Sequence, residues 1–269
     1  MSQTLHETLD KALEIPPILN WRMKRHYAAF SKGQYGGSCR GLYKSYREAA
    51  DAAPTTLPLG YDSAGPAAMY RDRLEQVFPS DYAMMLWLGK AFADGAKRLF
   101  DLGGHVGVGY YAYQRYLAYP EALSWQVFDV PAVIKVGKEL ALERDRRRAL
   151  AFVDQFEQAG AADVLFTSGC LQYLEDTLAE KLATLPRKPR WLLVNLLPLH
   201  DHLAYWTVQS IGSAFCPYRI QRKSIFFSDL ENLGYEVRDI WTNPEKRCEI
   251  AFHPEHSLNG YFGAALTLR

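Results

Sequence analysis

The chain has 269 residues, of which 48% are hydrophobic and 23% charged, with a formal net charge of +1. This is enough for one large packed domain, or for a domain with an extension. The near-neutral balance gives no long-range attraction to nucleic acid or to an anionic membrane.

Four cysteines, at 39, 170, 216 and 248, are scattered without a C-x-x-C pair. That pattern fits reduced thiols of a cytoplasmic chain better than a disulfide framework or a zinc knuckle. The first fifteen residues carry Glu7, Asp10 and Glu14, which no signal peptide would. Leu5, Leu9, Ala12 and Leu13 recur at helical spacing. A loop-rich stretch punctuated by glycine and proline follows, with a short helix expected from Tyr43 to Ala53. The helical pattern returns from Ala68 to Ala96, with Met69, Leu74, Val77, Met84, Met85, Leu88 and Phe92 as its apolar positions. Residues 1–97 therefore read as a helical, loop-rich extension.

From residue 98 strand and helix patterns alternate. The expected strands are Leu99 to Leu102, Trp125 to Asp129, Ala149 to Val153, Val164 to Thr167, Trp191 to Leu197, Tyr235 to Trp241 and Gly263 to Leu268. Helical periodicity fills Ala132 to Arg148 and Leu171 to Leu185. Such alternation predicts an α/β fold with a parallel sheet wrapped by helices. In the tail, two strand patterns around 241–252 and 258–269 share only a turn-rich link, which predicts a C-terminal antiparallel hairpin. The apolar run Trp191 to Leu199 is broken by Asn195 and Pro198 and is too short for a membrane span.

Asp101-Leu-Gly103-Gly104-His105-Val-Gly107 ends the first of these strands in an acid and a side-chain-poor bend. A ligand can press on such a bend, and the helix behind it, from about Tyr110 to Tyr116, points its positive end there. Asp129 ends the next strand, where an acid can bind both hydroxyls of a ribose. Asp154-Gln155-Phe156 follows the third. An acid or amide there can accept from an exocyclic amine, and Phe156 can cover a base or pack in the core. Gly107-Val-Gly109-Tyr-Tyr-Ala112 matches G-x-G-x-x-A, the pattern of an NAD oxidoreductase, but starts too late after the strand. Asp101 would also repel a pyrophosphate and would suit a cationic sulfonium with a free amino group.

These residues resemble the class I S-adenosylmethionine-dependent methyltransferases, most closely those acting on small-molecule hydroxyls. The family's D-x-G-G-G-x-G stands here as Asp101 to Gly107, and its F-D-L-P-x-V-I as Phe128 to Ile134. The whole chain also resembles a bacterial methyltransferase family of surface-polysaccharide gene clusters, through Gly41 to Tyr46, Gly60 to Asp62, Leu171 to Leu174 and Cys216 to Arg219. The resemblance implies a Rossmann-like fold over 98–269, with a mostly parallel seven-stranded sheet. It implies S-adenosylmethionine as cofactor and S-adenosylhomocysteine as product. Asp101, Gly103, Gly104, His105 and Gly107 would follow the methionine part. Asp129 and Val130 would hold the ribose, Asp154, Gln155 and Phe156 would frame the adenine, and Thr167 and Ser168 would close the pocket near the sulfonium. Two departures stand out. His105 replaces the third glycine, and Gln172 occupies the place of a catalytic histidine, where an amide cannot act as a base.

Methyl transfer needs alignment and, for a hydroxyl, removal of a proton. His200 and His202, flanking Asp201 after the fifth strand, are the candidate bases, although a surface-loop role also fits them. They could hold a metal only with a third ligand that the neighbouring sequence does not offer, so none is expected. Tyr61, Gln172, Tyr173, Asn195, Tyr218 and Arg219 are candidate acceptor-binding residues. Tyr218 and Arg219 are expected in a loop, where Arg219 could pair with an anionic group. The expected activity is methyl transfer to a small molecule, with a sugar hydroxyl as acceptor. A module that binds the cofactor without turnover, or an NAD oxidoreductase, are the alternatives. A small molecule is the only partner expected, with no nucleic acid.

Overall fold

The computed structural model describes residues 15–62, 65 and 73–269. The expected helical face Leu5 to Leu13 and the position Met69 lie outside them.

Pro16 and Pro17 open helix α1 (Pro16–Phe30) where a missing N–H leaves no bond unmade. Strand β1 (Cys39–Tyr43) follows. Ser45 then caps helix α2 (Tyr46–Ala52), its Oγ accepting from Glu48 N at 3.1 Å. After a one-turn helix at Pro79–Asp81 comes α3 (Tyr82–Ala93).

The chain then alternates. It runs through β2 (Arg98–Leu102), α4 (Val108–Tyr113), β3 (Ser124–Phe128), α5 (Pro131–Arg144), β4 (Leu150–Val153), β5 (Val164–Ser168), α6 (Leu178–Ala183) and β6 (Trp191–Leu197). Next come β7 (Leu199–His200), β8 (Tyr205–Ser210), β9 (Phe215–Arg222), α7 (Lys223–Asn232), β10 (Tyr235–Asn243) and β11 (Tyr261–Leu268).

The main sheet has the order β10-β11-β6-β5-β2-β3-β4. β2 pairs in parallel with both β3 and β5, while β11 runs antiparallel between β6 and β10. This is the Rossmann-like class I methyltransferase fold expected from the motifs, with its C-terminal antiparallel strands and N-terminal helices. β6 is buried almost throughout because both sheet faces are covered. Alternate residues feed two layers. Phe100, Leu165, Leu192 and Ala264 pack on one face, and Leu99, Val164, Phe166 and Leu193 on the other. The strand order reverses between β2 and β5, so a crevice opens at their carboxyl ends. Among the described residues no helix is long and apolar enough to cross a membrane.

A second sheet, β1-β8-β9-β7, was not expected. One face packs Trp206, Val208 and Phe215 against Phe30 and Ala49, and the other packs Tyr218 and Ile220 against Cys248 and Ile250. Tyr218 and Arg219 therefore lie on a strand, not in a loop. The expected helix from Leu171 to Leu185 is a single turn at Leu171–Tyr173 followed by α6. Thr177 starts α6 afresh through a capping box with Glu180. The helix expected to reach Arg148 stops at Arg144, because the Asp145 carboxylate accepts from Arg147 N and Leu150 N and turns the chain. In the tail the hairpin strands are β10 and β11, and Cys248 and Ile250 form only isolated bridges.

Candidate functional site

A cleft of about 590 Å³ lies at the β2/β5 switch point, between the carboxyl ends of the main sheet and the second sheet. Its size suits a small-molecule ligand. Its floor is the bend after β2. Gly103 has φ +74°, and a Cβ there would meet Cys170 Sγ at 2.4 Å. A Cβ on Gly104 would meet Asp101 Cγ at 2.3 Å. No side chain fits at either position without moving a wall of the cleft. His105, at the third glycine position, sits at φ +55°, in the left-handed region. It is buried, and its backbone N donates to Asp129 Oδ2 at 2.8 Å.

Asp101 is buried, with Trp125 Nε1 donating to its Oδ2 at 2.9 Å. Burial pushes its pKa up to about 7; the indole bond pulls the other way, and the Asp129 charge adds to the rise. Burial also raises Asp129, against N–H donation from Val130 and His105. Two desolvated carboxyls line one cleft, where a nearby positive charge would favour their ionised forms.

Of the residues singled out from sequence, Tyr61, Asp101, Gly103, Gly104, His105, Asp129, Val130, Ser168, Gln172, Tyr173 and Tyr218 line this cleft. Gln172 is buried, and its Nε2 donates to Gly169 O at 2.8 Å. Its Oε1 has no hydrogen-bond partner among the described residues. Tyr173 OH donates to Gln209 Oε1 at 2.6 Å, and Tyr218 OH and Tyr261 OH lie 2.7 Å apart.

The other candidates are not brought there. Gly107 caps α4 at φ +88° and faces Leu150. Asp154 and Gln155 are exposed beyond β4, and Phe156 turns edge-on to Phe100, with centroids 5.7 Å apart, in the core. Thr167 Oγ1 donates to Leu102 O at 2.8 Å and ties β5 to β2. Asn195 is a structural knot. Its Nδ2 donates to Ser80 O at 2.8 Å, and its Oδ1 accepts from Trp241 Nε1 and Asn243 Nδ2 at 3.0 Å each.

His200 is outside the cleft lining, contrary to the role expected for it. Its Nδ1 accepts from His202 N and Leu203 N at 3.0 Å, and its Nε2 faces Glu255 O at 3.2 Å. His202 is exposed beside it. Among the described residues, the group whose metal-ligating atoms come within 4.8 Å is His253, Glu255 and His256, also outside the cleft lining. Arg219 sits on the face of β9 away from Tyr218. Its guanidinium stacks on Trp206 at 4.7 Å and donates to Leu174 O and Glu175 O.

Sequence reasoning missed Gln209, Tyr261, Cys170, Lys246 and Arg247, all of which line the cleft. The alternation of Gln209, Cys216 and Tyr218 along β8 and β9 was the available signal. Lys246 and Arg247 carry no local signature.

No protein-family model matches the chain, and neither does any curated protein. Solved structures do. The chain is similar to the (4+2)-cyclase SpnF, at 13% identity and a TM-score of 0.53, over 87% of this chain and 99% of that one. It is also similar to the mitomycin 7-O-methyltransferase MmcR, at 18% identity and a TM-score of 0.41, over 70% of this chain but only 54% of that one. An O-methyltransferase family protein from Burkholderia thailandensis matches at 16% identity and a TM-score of 0.46, over 78% of this chain and 64% of that one. At 13% identity the likeness to SpnF speaks to fold alone, and one fold hosts many chemistries.

Proposed function

We propose that this chain binds S-adenosylmethionine and transfers its methyl group to a hydroxyl of a small molecule, releasing S-adenosylhomocysteine. The observation that carries this reading is the pair of buried carboxylates, Asp101 and Asp129, beside a bend whose two glycines tolerate no Cβ. A sulfonium with a free ammonium compensates such carboxylates, whereas a pyrophosphate placed against this bend would be repelled.

Asp101, Gly103 and Gly104 would face the charged methionine part, and Asp129 with Val130 the ribose. His105 and Ser168 would complete the wall. When bound, the cofactor supplies a methyl group on a good leaving atom. The protein's task is then alignment and exclusion of water. Gln172 Oε1, a buried acceptor with no partner among the described residues, fits a donor such as the acceptor hydroxyl. Tyr61, Tyr173 and Tyr218 supply hydroxyls around it. A sugar or sugar-linked acceptor agrees with that lining and with the polysaccharide-cluster resemblance. Tyr61 and Asp62 would form part of a lid over the cleft, with Asp62 Oδ1 accepting from Ala132 N at 2.9 Å.

Isothermal titration with S-adenosylmethionine, S-adenosylhomocysteine and NAD tests the cofactor. Binding of the first two and not the third is expected, and the reverse would end this reading. Turnover over a panel of nucleotide sugars and hydroxylated metabolites, read by mass spectrometry, tests the transfer. A non-catalytic module remains the second reading, favoured by the withdrawal of His200 and His202 from the cleft, and it predicts binding without turnover.

A further inference from the structure

We propose that the acceptor carries an anionic group, a phosphate or a carboxylate, held at the rim of the cleft by Lys246 and Arg247. The inference rests on the reading of this cleft as a methyl-transfer site.

Charges of both signs line the cleft. The carboxylates of Asp101 and Asp129 belong to the ends of β2 and β3. Lys246 and Arg247 stand on the link between β10 and β11, which also ends in the cleft residue Tyr261. Both cations are exposed, and neither forms a salt bridge among the described residues. Asp81 is the acid whose field reaches Lys246. Its oxygens are already engaged, Oδ2 by Phe78 N at 2.8 Å and Oδ1 by Tyr113 OH at 3.1 Å. It offsets at most one of the two cations, and among the described residues the Arg247 guanidinium has no carboxylate in a salt bridge.

A guanidinium beside an ammonium at a cleft mouth favours a phosphate or carboxylate, which it can meet with paired hydrogen bonds. It also draws anions in from solution at low salt. Arg219, the anion partner suggested by sequence, is committed to carbonyl oxygens on the far side of β9. It belongs to a second cationic cavity, of about 390 Å³, with Lys44 and Arg222. That cavity supplies the control.

The experiment titrates inorganic pyrophosphate, and separately malonate, into the full chain by calorimetry, with and without saturating S-adenosylhomocysteine. At least one anion is expected to bind saturably. Its affinity should fall at least fivefold in Lys246→Ala/Arg247→Ala and in Arg247→Glu, and hold in Lys44→Ala/Arg222→Ala. Tighter binding of pyrophosphate names a phosphate, and tighter binding of malonate a carboxylate. No saturable binding of either anion overturns the proposal. So does binding that survives in both rim variants, or that follows Lys44 and Arg222. The S-adenosylhomocysteine titration alone reads the cofactor assignment, so the two ideas fail separately.

Discussion

Asp101 sets the residue-scale chemistry. Its folded pKa of about 7 lies above the ordinary carboxylate value of 3.8. Between about pH 4 and pH 7 the folded state keeps a proton that the unfolded state has released. The ligand-free protein should therefore lose stability as pH rises through that window and level off above it. Urea unfolding at several pH values reads this slope, and Asp101→Asn should reduce it, the remainder coming from Asp129 and Asp81, which burial also raises. Affinity for S-adenosylmethionine should instead rise towards neutral pH, because the ionised carboxylate favours a cation. Asp129→Ala should weaken S-adenosylhomocysteine binding by ~1–3 kcal/mol, the scale of hydrogen bonds to a charged group; an unchanged calorimetric affinity would remove the ribose assignment. Gly104→Ala places a Cβ 2.3 Å from Asp101 Cγ. Its expected cost is ~1–3 kcal/mol of stability, together with weaker cofactor binding. Retention of both would show that the bend yields.

At the scale of elements, side chains singled out for chemistry turn out to hold strands together. Asn195 joins β6 to β10 and to the turn before α3. Asn195→Ala strands a half-buried indole N–H and a buried amide, so ~1–3 kcal/mol of stability should disappear in denaturant unfolding. His200 joins β7 to the turn at Pro254–His256. His200→Ala should cost ~1 kcal/mol while leaving S-adenosylhomocysteine affinity intact, and a selective fall in turnover would restore its candidacy as a base. The seven strands of the main sheet were legible because each carries its own apolar run and ends at a turn signal. Strands β1, β8 and β9 were not. Their runs are short and broken by Gly41 and Pro217, and β1 pairs with a strand far along the chain, which no local pattern reveals.

For the molecule as a whole, the second sheet converts an open crevice at the β2/β5 switch point into a walled cleft. Tyr218 on β9, Gln209 on β8 and Tyr173 after β5 meet there, and the N-terminal segment adds Tyr61. The cleft walls are therefore built from distant parts of the sequence. By itself the sequence determined the α/β class, the glycine bend and the acids ending β2 and β3. Each is a local matter of periodicity, of backbone torsion, or of a charge placed where a strand stops. Tertiary structure decided which candidates face the ligand. It withdrew His200, Asn195, Arg219 and Phe156 and brought in Gln209, Tyr261, Lys246 and Arg247. The direction a side chain takes depends on strand register and on partners remote in sequence, and those are settled only when the sheets pack.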